Sequence, residues 1–175
     1  MRRYFEACSR APTLCVTLAS ALILVLAVFP ALPIGGELLD AKGGYTYGEA
    51  LTALEGYGET GRRAYAWASV TLDTFLPVLY ASFLAGLVYR CRPTEPLWKL
   101  AYLPLAAGLI DLGENAQVIL MLTRYPDVSP GQVTVASLFT LVKGYAVVLC
   151  LALTTGLAAV AVVRRARAGI RGRIP

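Results

Sequence analysis

The chain has 175 residues, 57% of them apolar and 15% charged, with a mean hydropathy of +0.62. Soluble domains run at about 45–50% apolar and about 25% charged, so one membrane domain fits and a second, soluble one does not. Histidine is absent, which excludes bis-histidine haem, histidine-ligated zinc and a Ser-His-Asp triad, and the net charge of +5 is read as membrane orientation, with no nucleic-acid partner expected.

Arg2, Arg3 and Arg10 precede a first apolar span over residues 12–32. Spanning needs about 20 apolar residues, and this stretch is longer than the apolar core of a signal peptide. Phe29 and Pro30 disfavour cleavage at Ala31. The span is read as retained, with a cut after Ala27 as the alternative. The connection 33–64 is the longest. In it Thr46-x-x-Glu49 has the pattern of a capping box, and Gly56 is placed to end the same helix. Leu51, Ala53 and Leu54 give that short external helix an apolar face, so it is either a lid over the bundle or a stiffened loop.

Span 2 is expected over 65–89, span 3 over 100–123 and span 4 over 133–163. The last is longer than a bilayer requires, so it tilts or emerges. Arg90, Arg92 and Lys99 follow span 2, and Arg164, Arg165, Arg167, Arg171 and Arg173 follow span 4. The opposite connections carry Lys42, Arg62, Arg63 and Arg124. This asymmetry puts both termini in the cytoplasm. The basic tail is read as orientation and attraction to anionic lipid. The expected architecture is all-α: a single transmembrane domain over 1–175, an integral membrane four-helix bundle. Cys8, Cys15, Cys91 and Cys150 lack C-x-x-C spacing and are read as small packing residues. Tyr65, Trp67, Trp98 and Tyr125 lie near span ends and suit an interfacial belt.

Asp73, Asp111, Glu114 and Lys143 fall inside these spans. A charge at a helix centre costs about 2.5–3.5 kcal/mol on insertion scales, which makes each a candidate for function. Counting along the helices at about 1.5 Å per residue places Asp73, Glu114 and Lys143 each about 15 Å below the outer surface. Faces agree with depth. Asp111, Glu114 and Asn115 occupy i, i+3 and i+4 of span 3, with Ala107, Gly108 and Val118 on the same side. Ala66, Ser69, Asp73, Pro77 and Tyr80 share a side of span 2, and Ala136, Thr140, Lys143, Val147 and Cys150 share one of span 4. All three stripes are expected to face the interior, because lipid offers polar groups no partner. Pro77 also frees the carbonyl of Asp73, and Pro104 that of Leu100. Three acids against one lysine leave uncompensated charge in a low dielectric, so acids are protonated, a cation binds, or water enters. Lys143 is expected to pair with Asp111 or Glu114, and Asp73 to be the neutral acid.

Three stretches recur in a recognisable order: Leu72-Asp-Thr-Phe-Leu-Pro-Val-Leu-Tyr80, Asp111-Leu-Gly-Glu-Asn115, and Ser137-Leu-Phe-Thr-Leu-Val-Lys143. The pattern LDxFxPxxY, DxxEN, SxFTxxK resembles an uncharacterised family of small four-span bacterial integral membrane proteins. The resemblance covers spans 2 to 4. It implies the bundle, a bacterial plasma-membrane location and polar positions at Asp73, Asp111, Glu114, Asn115 and Lys143. Ala81 and Gly144 depart from it, where a glycine and an aromatic are expected. It implies no activity.

The functional expectation is a site in the outer half of the bilayer that binds or passes a proton, a cation or a polar or cationic head group. Its candidate residues are Asp73, Asp111, Glu114, Asn115, Lys143, Tyr80 and Thr140, with no metal and no cofactor. Two alternatives stand beside it. One is an intramembrane lipid- or isoprenoid-modifying enzyme using Asp111 and Glu114 as acid and base. The other is a structural or assembly subunit whose charges lock helices or meet a partner's span. A homo-oligomer or a membrane-complex partner fits any of these, with small-residue pairs at Ser82/Gly86 and Ala152/Gly156 as packing sites.

Overall fold

The computed structural model describes residues 1–171, and no strand occurs among the described residues. Its helices are α1 (Arg2–Cys8), α2 (Ala11–Ile23), α3 (Tyr47–Gly56), α4 (Gly58–Val70), α5 (Leu72–Cys91), α6 (Tyr102–Arg124) and α7 (Pro130–Arg171). Four helical segments are long and apolar enough to cross a membrane: Ala11–Ala31, Gly58–Cys91, Glu95–Arg124 and Pro130–Ala168. Each overlaps an expected span. The second starts earlier than expected, at Gly58, because the chain turns from α3 straight into α4 at Gly58, whose φ of +62° suits a residue without Cβ. Arg173 lies outside the described residues.

The ends of the helices follow from proline and capping chemistry. α2 widens into a π turn over Leu24–Val28 and tightens into a 3₁₀ turn over Phe29–Ala31 before the chain becomes extended at Leu32. Pro30 has no N–H for the carbonyl four residues earlier, and Pro33 follows, so the α-helical ladder cannot continue. Pro104 has a milder effect than its sequence position suggests. α6 begins at Tyr102 after a 3₁₀ turn over Glu95–Ala101, so Pro104 lies in the first turn, where an amide hydrogen has no helical partner to lose. α3 carries both halves of the capping box: Thr46 accepts from the Glu49 amide, and the Glu49 carboxylate accepts from the Thr46 amide at 2.7 Å. Those bonds hold the Glu49 carboxyl below the usual glutamate range.

α5 and α6 form the centre of the bundle. α7 packs on both, α2 packs on α5, and α4 packs on α6. The end holding both termini is closed by α1, which the sequence reading treats only as a basic flank. Its Phe5 is buried among Ala85, Val88, Tyr89 and Ala101, and Tyr4 bonds Ser82 at 2.8 Å. A Cβ on Gly86 would lie 2.4 Å from the Cys8 carbonyl oxygen, so the Ser82/Gly86 pair serves contact within the chain. Gly156 has open space around it.

The opposite end is closed by the long connection. Ala50, Leu54, Tyr45 and Tyr57 form one apolar cluster with Val118, Met121, Leu122, Val133 and Ala136 of α6 and α7. Tyr45 N–H donates to Ser137 Oγ at 2.9 Å, and Tyr47 Oη donates to the Val128 carbonyl at 3.1 Å. Of the two readings of this segment, the lid describes its packing. Tyr65 corrects the aromatic-belt expectation. It is only 2% exposed and points inward, whereas Trp67, two residues on, is 60% exposed.

Candidate functional site

Asp73 owes its position to a break in the second span. Thr71 has φ −101° and ψ −82°, outside the helical region, which ends α4 and restarts the chain as α5. Thr71 Oγ1 donates to the Trp67 carbonyl at 2.7 Å, and Thr74 Oγ1 reaches the Ser69 and Val70 carbonyls at 3.0 and 2.9 Å. Local hydroxyls thus add hydrogen bonds to the carbonyls around the break. Asp73 falls in the first turn of α5, where the helix dipole favours a negative charge.

Pro77 then acts on the same residue. It removes the donor to the Asp73 carbonyl, as the sequence implies, and Asn115 of α6 supplies a replacement: its Nδ2 donates to that oxygen at 2.8 Å. The Asn115 Oδ1 atom is buried without a partner. Gly108 allows this approach of α5 and α6, since a Cβ there would meet Ala81 Cβ at 3.1 Å and the Pro77 carbonyl oxygen at 3.3 Å.

Lys143 of α7 gathers the other groups. Its Nζ contacts the Glu114 carboxylate directly, lies 3.7 Å from Asp111 Oδ1 and donates to the Asp40 carbonyl at 3.2 Å. Two carboxylates and one backbone carbonyl thus surround the ammonium. Tyr80 Oη donates to Asp111 Oδ2 at 2.9 Å, and Thr140 Oγ1 donates to Glu114 Oε1. Glu114 is fully buried. The sequence leaves the lysine's partner open between Asp111 and Glu114, and the geometry brings it to both. All seven candidate residues lie on the interior side of the bundle, and Asp111, Glu114, Thr140, Tyr80 and Lys143 form one connected set.

Asp73 stands apart from that set. It is 6% exposed, and among the described residues no side chain or amide bonds or pairs with its carboxylate. It lines a cavity of about 510 Å³ together with Asp40, Lys143, Leu76 and the ends of α2 and its following turn, Val25, Phe29 and Pro30. Asp40 is the group that the sequence reading missed. Tyr65 Oη donates to its carboxylate, and Asp40 sits in the 3₁₀ turn Leu39–Ala41 on the fully buried Leu39. The one signal for it was the apolar pair Leu38-Leu39 immediately before it. Tyr45 also overhangs this end of the bundle, and burial pushes its phenol up to about 12, so it is neutral at physiological pH. Toward the end holding the termini the site is closed by a buried layer of Leu84, Ala107 and Cys150, with Tyr80, Phe83 and Ala146 packed against it.

The arrangement divides in two. One part is a lysine paired with two acids and bridging α6, α7 and the lid. The other is an acid without a counter-ion at the wall of an open cavity. Among the described residues no three of His, Cys, Asp or Glu are placed to hold a metal ion. No protein-family model, curated protein or solved structure matches the chain, so the functional reading rests on this geometry.

Proposed function

We propose that this is an integral protein of a bacterial plasma membrane, with both termini in the cytoplasm and the lid outside, and that its polar layer binds a cation or a cationic head group entering from the outer side. The observation that carries the reading is Asp73: a carboxylate almost wholly buried, free of protein partners and facing a cavity. A buried charge without a partner is costly, so Asp73 rests as the neutral acid expected from the sequence, and a cation entering the cavity pairs with its carboxylate as the proton leaves to solvent. Binding is favoured over passage, because the Leu84, Ala107 and Cys150 layer below the site offers no polar path. The structural alternative has support for part of the layer. Lys143, Asp111 and Glu114 satisfy one another across two helices, which suits a lock, and leave the binding role to Asp73 and Asp40.

The test is calorimetric titration of the protein, purified in a nonionic detergent, with propylammonium and decylammonium salts below their aggregation concentrations. Saturable binding is expected with at least one of them, to be lost in the near-isosteric Asp73→Asn and to weaken in acid, since a protonated carboxyl offers no counter-charge. If neither salt binds, or if Asp73→Asn binds as the wild type does, the proposal fails.

A further inference from the structure

The cavity against Asp73 has two kinds of wall. Its lining includes the charged residues Asp73, Asp40, Glu37 and Lys143, and the apolar residues Val25, Phe29, Leu32, Ile34, Leu38 and Leu76. Lys143 already faces the carboxylates of Asp111 and Glu114, so its charge is compensated and the free charge of the cavity is acidic. A small hydrated cation would use the carboxylates and waste the apolar wall. A neutral lipid would use the wall and leave Asp73 unpaired.

The position of the apolar wall points to the route. Val25 and Phe29 belong to the first membrane-crossing segment, Ala11–Ala31. That segment packs on α5, and Lys143 of α7 lines the same cavity. Val25 is 46% exposed, and Leu22 and Leu26 of the same segment are exposed as well. In a bilayer these residues face acyl chains. The volume of about 510 Å³ is within the about 300–1,000 Å³ typical of small-molecule sites.

Resting on the binding role proposed above, we infer that the ligand is a long-chain primary amine taken sideways from the bilayer. Its ammonium sits between Asp73 and Asp40, and its chain runs over Leu76 and Phe29 and out along Val25 into lipid. The ammonium supplies three donors to acceptors that the protein leaves free. The chain covers the apolar wall without leaving the membrane's hydrocarbon.

The experiment uses the full chain reconstituted in neutral phosphatidylcholine nanodiscs that contain a decylammonium analogue with a diazirine in its chain, beside a decanol analogue carrying the same diazirine. After photolysis, the modified residues are mapped by peptide mass spectrometry. Labelling by the amine is expected to concentrate on Val25, Phe29 and Leu76 and to fall about tenfold in Asp73→Asn, the scale of one lost charge-assisted hydrogen bond. Labelling by the alcohol is expected to spread over all lipid-facing helices. Leu76→Trp, which fills the chain's path and leaves every ionisable group in place, is expected to abolish the concentrated labelling by the amine. Equal, diffuse labelling by amine and alcohol, or amine labelling unaffected by either substitution, would overturn the inference. If Asp73-dependent calorimetric binding persists in that case, the cation site stands and only its amphiphilic ligand is wrong; if it is absent too, the site itself is refuted.

Discussion

The amide of Asn115 replaces a backbone donor that Pro77 deletes, and it does so across two helices. In the interior of a membrane protein an unsatisfied carbonyl finds no water, and a single interhelical side-chain hydrogen bond is worth about 0.6 kcal/mol on average and up to about 1.7. Asn115→Leu is therefore expected to lower stability by about 1–2 kcal/mol in denaturant titration. In a Pro77→Ala background the restored amide can serve the Asp73 carbonyl itself, so the same substitution should cost measurably less there. Equal costs in the two backgrounds would show that the bond does not compensate the proline. At this scale the sequence is legible where periodicity speaks. Asp111, Glu114 and Asn115 at i, i+3 and i+4 had to share a face, and Pro77 had to free one particular oxygen. The donor to that oxygen was not legible, because no local rule links residues 42 positions apart. Asp40 was hidden for a related reason: a connection without regular period gives no face to count.

The elements are less regular than four plain spans. The second span is two helices joined at Thr71, and that break starts the helix whose first turn carries Asp73. Thr71 and Thr74 mark it only in hindsight, since threonine also sits well inside membrane helices when it bonds back to a carbonyl. The lid is positioned by close backbone approach. A Cβ on Gly61 would lie 2.4 Å from the Ile34 carbonyl oxygen, so α4 touches the segment that walls the cavity. The capping box of α3 was legible from four residues, whereas the burial of its apolar face on α6 and α7 depends on tertiary contact. The proposed orientation is tested on these elements. In a cysteine-free background, Gly43→Cys in the lid segment, a site with open space around it, is expected to react with a membrane-impermeant maleimide in intact cells. Arg3→Cys in α1 is expected to react only after lysis. The reverse pattern would place the site on the cytoplasmic side and refute entry from outside.

At the scale of the whole molecule, the fold class followed from composition and the spacing of apolar runs. The common height of the charges followed from counting inward from the span ends. The cavity did not follow, because its lining joins residues of the first span, α5 and α7 with a lid whose path no sequence pattern fixes. What unites the three scales is convergence: acids on α5 and α6 and a lysine on α7 meet beneath one cover instead of facing hydrocarbon. The measurement closest to that claim is a double-mutant cycle between Lys143→Met and Glu114→Gln, read as unfolding free energy in mixed-micelle titration. Lys143→Met alone leaves buried acids unpaired and is expected to cost about 3–5 kcal/mol. Adding Glu114→Gln should recover part of that loss, giving a coupling of at least about 1 kcal/mol. Strictly additive losses would contradict it, placing the lysine and the glutamate in separate surroundings.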